Sequence, residues 1–120
     1  MLKLRIADRL EFTARVSVEM PNDRGGFDRA SFTARFEMLP DTEIDTIRRS
    51  AQEAGENEDK ALMRRALIGW ENDLQDAETG EPIAFSDDNR DLLLALLPVR
   101  NAVAHAYFAS ISNGMIRRKN

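Results

Sequence analysis

Two stretches of this chain alternate apolar and polar residues without a break, and they constrain its first third more than any other feature. Over residues 11–19, Phe12, Ala14, Val16 and Val18 fall on one side and Glu11, Thr13, Arg15, Ser17 and Glu19 on the other. Over residues 29–38, Ala30, Phe32, Ala34, Phe36 and Met38 oppose Arg29, Ser31, Thr33, Arg35 and Glu37. A period of two over such lengths is that of strands with one buried face. The linker Pro21-Asn22-Asp23-Arg24-Gly25-Gly26 is dense in turn formers, and its glycines tolerate positive φ. The pattern predicts a β-hairpin over residues 10–38. It admits cross-strand pairs such as Glu19 with Arg29 but leaves the register open. The tetrapeptide Phe-Thr-Ala-Arg stands at both 12–15 and 32–35. Two strands drawing on the same residue types account for this better than a duplication, because true repeats usually number three or more.

After Pro40 the period becomes helical. Asp41 or Thr42 is placed to cap a helix with an acidic first turn (Glu43, Asp45) and a stripe of Ile44, Ile47, Ala51 and Ala54; Gly55 ends it. Asn57 caps a second helix over 58–68, with Ala61, Leu62, Ala66 and Trp70 on one side. Residues 71–85 are acidic and carry Glu78-Thr79-Gly80 and Pro82, which reads as a loop. Ser86 caps an acid-led, nearly all-leucine helix over 87–97. Pro98 suits the first turn of a helix and not its interior, so a fourth helix over 99–111 is expected, with Val99, Ala102, Val103, Ala106 and Tyr107 inward and Asn113-Gly114 as its stop. The expectation is one α+β domain over 1–116, a hairpin followed by about four short packed helices between 41 and 114, with a frayed basic tail at 117–120. Phe32, Phe36, Trp70, Phe85 and Pro98 are its structural anchors. At 120 residues the chain is long enough to bury a core without staples.

Chemistry-bearing patterns are sparse. The chain has no cysteine, which removes disulfides and thiolate metal sites. Its only histidine, His105, sits between alanines in a helix with no acid beside it and is expected at the surface. The acidic loop at 73–81 lacks the regular ligand spacing and terminal bidentate glutamate of a calcium loop. Gly25-Gly26 opens no helix and precedes no Gly-Lys-Ser/Thr, so it is not a phosphate cradle. Arg48-Arg49 and Arg64-Arg65 read as solvent sides of amphipathic helices, and Trp70 as an anchor whose indole N–H seeks a carbonyl. The net charge of −4 and pI near 5.0 argue against nucleic acid as a partner. No signal sequence opens the chain and no apolar run is long enough to span a bilayer, so a soluble, cytoplasmic protein is expected, with no cofactor and no metal. What stands out is a leucine excess. Leu92, Leu93, Leu94, Leu96 and Leu97 cover more than one helix face, and a small domain buries one stripe readily. The reading is a non-enzymatic protein that binds another protein, through an apolar lining of Leu92, Leu93, Leu96 and Leu97 with Val103 and Tyr107 in a groove built from two helices.

The ordered set of these features resembles the tail assembly chaperones of long-tailed phages and prophages. The likeness runs from Arg29 to Asn120. It rests on Phe32, Ala34, Phe36, Leu39 and Glu43 in a Phe-x-Ala-x-Phe-x-x-Leu-x-x-x-Glu run, then on Gly69-Trp70 and an acidic turn followed by Gly80, Pro82, Phe85 and Ser86. A Pro98-led helix with Ala106-Tyr107 and a closing Lys119-Asn120 complete it. Where such proteins often carry Asp-x-Asp-Gly, this chain has Ala77-Glu78-Thr79-Gly80. The resemblance implies a small acidic protein that coats the tape-measure protein in the host cytoplasm, keeps it soluble and brings tail-tube protein to it. It also implies a longer form of the same protein made by ribosomal frameshifting, with which Lys119-Asn120 codons are compatible, while homo-oligomers are expected from the open strand edge that the hairpin leaves. The alternative is a head–tail connector or tail-completion subunit that stays in the particle.

Overall fold

The computed structural model describes residues 1–4 and 9–112. The stop at Gly114 and the basic tail lie outside the described residues. The chain forms an α+β domain. Strands β1 (Glu11–Pro21) and β2 (Phe27–Glu37) build an antiparallel hairpin, followed by α1 (Asp41–Ala54), α2 (Glu58–Ala66), a short β3 (Leu67–Trp70), α3 (Asp87–Leu94) and α4 (Leu97–Ile111). The sheet order is β1-β2-β3, all antiparallel.

The alternation sets the hairpin register. Phe12 lies opposite Phe36, Ala14 opposite Ala34, Val16 opposite Phe32, and Glu19 opposite Arg29, with which it forms an ion pair. The Leu10–Met38 and Asn22–Gly26 backbone bonds put even-numbered β1 residues in the hydrogen-bonded pairs, so the N–H and C=O of Thr13, Arg15 and Ser17 point away from β2. Two apolar positions on the predicted face escape burial: Met38 is 40% exposed, and Ala30 is exposed toward the hairpin tip.

Helix α4 packs on β1, and α2 packs on α1 and α4. Val16, Ala34, Phe36, Leu62, Met63, Leu94, Val103 and Tyr107 are at or near zero exposure and form the centre of the core. Tyr107 holds it together. Its ring meets Phe36 edge-on at 5.2 Å and stacks near Phe12 at 5.9 Å. Its hydroxyl donates to the Glu37 carbonyl (3.0 Å) and accepts from the Leu39 N–H (2.9 Å), which pins the chain where it leaves β2 for α1. Burial pushes the phenol pKa up, so the hydroxyl keeps its proton to donate. Beside it the Glu37 carboxylate, 8% exposed, takes both arms of Arg65 (3.2 and 2.9 Å) and one of Arg9 (3.2 Å). The Arg65 hydrogen bonds hold its carboxyl below the usual glutamate range against the opposing effect of burial.

Several local readings change. Helix α1 starts after Pro40, which occupies the N-cap with extended backbone and no side-chain cap bond; Asp41 and Thr42 lie inside its first turn. Gly55 ends it at φ 69°, a conformation that favours glycine. Asn57 and Ser86 cap as expected, accepting from Lys60 N–H (2.8 Å) and Asn89 N–H (3.1 Å). The second helix stops at Ala66 and not at Ile68, because Leu67, Gly69 and Trp70 pair with β2. Trp70 therefore anchors a strand and not a helix end. The arginine pairs do not simply face solvent. Arg65 reaches Glu37 and Glu43, Arg64 pairs with Glu56, and Arg48 lies over the Phe108 ring at 5.5 Å.

A candidate protein-docking cleft

The geometry divides the leucine-rich segment. Leu94 is fully buried and Leu93 half-buried against the core, whereas Leu92, Leu96 and Leu97 remain 68%, 48% and 56% exposed. The predicted helix over 87–97 ends at Leu94, and Pro98 sits in the first turn of a new helix that already begins at Leu97. The axes of α3 and α4 differ by 103°, so leucines that a straight helix would spread around its axis gather at a corner. Among the described residues no single helix is long and apolar enough to cross a membrane; α3 and α4 reach that composition only together, across this bend.

Leu93 and Leu96 line a cleft of about 610 Å³. Its other walls are Val18, Met20 and Phe32 from the sheet, Leu74 and Ile83 from the segment between β3 and α3, and Val99 from α4. Ser31, Asp73 and Gln75 supply its polar lining. The groove is thus made by sheet, turn and helix corner, and not by two helices.

The turn that forms one wall is fixed in place. The Trp70 indole N–H donates to the Ile83 carbonyl at 2.7 Å, and the ring meets Phe85 edge-on at 4.7 Å. Asp73 accepts from the Thr33 N–H (3.0 Å) and hydroxyl (2.8 Å), which satisfies the edge of β2 where β3 has ended. The backbone bond from Thr33 chiefly holds the Asp73 carboxyl below its ordinary range, so it remains ionised at the cleft. Asp76 accepts from the backbone N–H groups of Glu78 (2.8 Å) and Thr79 (3.0 Å), and Ile83 N–H donates to Leu74 O (2.9 Å). The Asp73 and Asp76 carboxylates of the acidic loop thus serve as turn closures.

Of the residues expected to meet a partner, Leu93 and Leu96 line the cleft, Leu92 lines a shallow neighbouring hollow with Asp88 and Asp91, and Leu97 is exposed at the corner. Val103 and Tyr107 do not belong to this surface. Both are fully buried, because β1 covers the stripe of α4 on which they sit. Val18, Met20, Phe32, Leu74 and Ile83 are the lining residues that sequence reasoning missed; Val18 and Phe32 show as strand-face residues, but their meeting with the leucine corner is tertiary. Phe32 and Phe36 are buried anchors, while Phe85 and Pro98 are half-buried. His105 is exposed on α4, in a second hollow of about 390 Å³ with Ser17, Glu19, Arg29, Pro98 and Asn101 beside the outer edge of β1. Among the described residues no group of His, Asp and Glu is arranged to hold a metal ion. Compared with protein-family models, curated proteins and solved structures, the chain matches none.

Proposed function

We propose that this domain works without catalysis, as an assembly chaperone that holds an apolar helical stripe of a partner against the cleft between the sheet and the α3–α4 corner. The observation that carries the reading is the cleft lined by Leu93 and Leu96 beside the exposed Leu92 and Leu97. Such a surface costs solubility unless something covers it, and each leucine taken out of water by a partner contributes on the order of 1.5–3 kcal/mol. With the resemblance described above, the partner is the tape-measure protein of a long-tailed phage or prophage, which the chaperone keeps soluble in the host cytoplasm and to which it helps recruit tail-tube protein. A long client offers the same stripe repeatedly, so several copies bind with avidity although each contact is modest. Side-by-side association of copies through the outer edge of β1, which no strand pairs among the described residues, completes the proposal. Co-expression with the tape-measure protein of the same element, followed by light scattering of the co-purified material, tests it. Several copies per client, with the client rescued from the insoluble fraction, support the reading. A defined ring formed without client, and retention of the protein in purified particles, would favour a connector.

A further inference from the structure

We infer that the segment this cleft accepts is a basic amphipathic helix, one whose apolar stripe is flanked by lysine or arginine; the inference rests on the docking role proposed above. The apolar lining is bordered chiefly by carboxylates, among which Arg90, Arg64 and Arg15 are the bases. Residues 71–91 hold eight carboxylates against the single base Arg90. The turn that carries Asp73 lines the cleft itself, and Asp88 and Asp91 line the hollow around Leu92, the residue next to the cleft-lining Leu93 on α3. Arg90 and Arg64 do not offset them for a partner, because Arg90 is 15% exposed and already bonded to Asp87 (3.3 Å) and Asp91 (3.1 Å), and Arg64 is held by Glu56 as well as by Asp91 (3.9 Å). The cations at the far, hairpin end are engaged as well, Arg29 with Glu19 and Arg24 with Asp28. Asp88 is exposed and forms no ion pair among the described residues, and Asp73 stays ionised because Thr33 donates to it. A helix laid along Leu92, Leu93 and Leu96 would place the residues flanking its own stripe against these two acidic borders. Acidic flanks would meet like charge, and basic flanks would meet opposite charge.

The test uses three synthetic helical peptides with one apolar stripe and flanks of lysine, serine or glutamate, titrated into the full chain by fluorescence anisotropy at low and at high salt. Three rim pairs at about 0.5 kcal/mol each predict roughly tenfold tighter binding of the lysine-flanked peptide than of the serine-flanked one, with the advantage largely gone in 1 M salt, where the screening length is about 3 Å. Asp88→Lys, which turns one rim attraction into a repulsion, should cut the preference to roughly twofold while leaving the serine-flanked peptide's affinity unchanged, which also checks that the variant is folded. Equal binding of all three peptides would overturn the charge selectivity and leave the docking cleft standing. Binding by none of them would overturn the docking role itself.

Discussion

Replacing Tyr107 with Phe removes a single oxygen from the centre of the core and leaves every carbon contact of the ring in place. That oxygen accepts from the Leu39 N–H and donates to the Glu37 carbonyl, at 2.9 and 3.0 Å, in a site with no exposed surface. Both backbone groups would then be buried without a partner. Each such group costs about 1–3 kcal/mol, and losing the hydroxyl's own desolvation offsets part of the sum, so Tyr107→Phe should destabilise by about 2–4 kcal/mol. For a domain of this size that lowers the melting temperature by roughly 10–20 °C. Urea unfolding followed by circular dichroism reads the change as a lower midpoint at constant m-value. The contrast is Leu96→Asp, on a side chain 48% exposed, which should alter stability by no more than about 0.5 kcal/mol while abolishing client binding. A Tyr107→Phe loss below about 0.5 kcal/mol would refute the claim that this hydroxyl fastens the β2–α1 junction. Unfolding of Leu96→Asp would show that the corner leucines are core.

The Glu37 cluster makes stability depend on acid. Its carboxyl is depressed in the folded state, so its contribution is present above the ordinary glutamate pKa near 4.3 and is lost as pH falls through the lower folded value. Glu37→Gln should cost about 2–4 kcal/mol at neutral pH, by leaving Arg65 and Arg9 underpaired, and should flatten the loss of stability in an acid titration below about pH 4.5. Trp70→Phe removes the bond to Ile83 and should cost about 1 kcal/mol; limited proteolysis should cut first within residues 71–86. Ser17→Pro deletes an N–H that points away from β2, so the ladder survives and any edge-mediated self-association should vanish on a sizing column. Val16→Pro deletes an inward N–H of the same strand and should unfold the domain.

The hairpin was legible because nothing competed with its period. The strands carry their own buried face, and the Glu19–Arg29 pairing follows from register once Leu10 meets Met38. Strand β3 was not legible, because Ala61, Leu62, Ala66 and Trp70 continue a helical stripe and only the open edge of β2 pulls residues 67–70 out of it. Gly69 gave no local signal either, since a Cβ there would meet that of Arg35 at an ordinary contact distance of 3.7 Å. The site divides in the same way. The leucine excess exposed one wall, and Pro98 hinted at the corner, but the facing wall of Val18, Phe32 and Ile83 comes from residues 10 to 78 positions away from Leu93 and Leu96 in sequence. Val103 and Tyr107 were assigned to the open surface because periodicity identifies an apolar stripe without saying what covers it.

The Tyr107 tie also orders events in time. The hydroxyl that closes the core reaches back 70 residues to Glu37. At about 5–20 residues per second, a nascent hairpin with Phe12, Val16, Phe32 and Phe36 on one side waits roughly 4–14 s before α4 is synthesised to cover it. During that interval the chain itself presents the kind of bare apolar face that it is proposed to shield in another protein. Aggregation during synthesis should therefore be most sensitive to the delay between the second strand and the last helix, and synonymous slow codons within residues 40–97 should lower soluble yield without altering the finished fold.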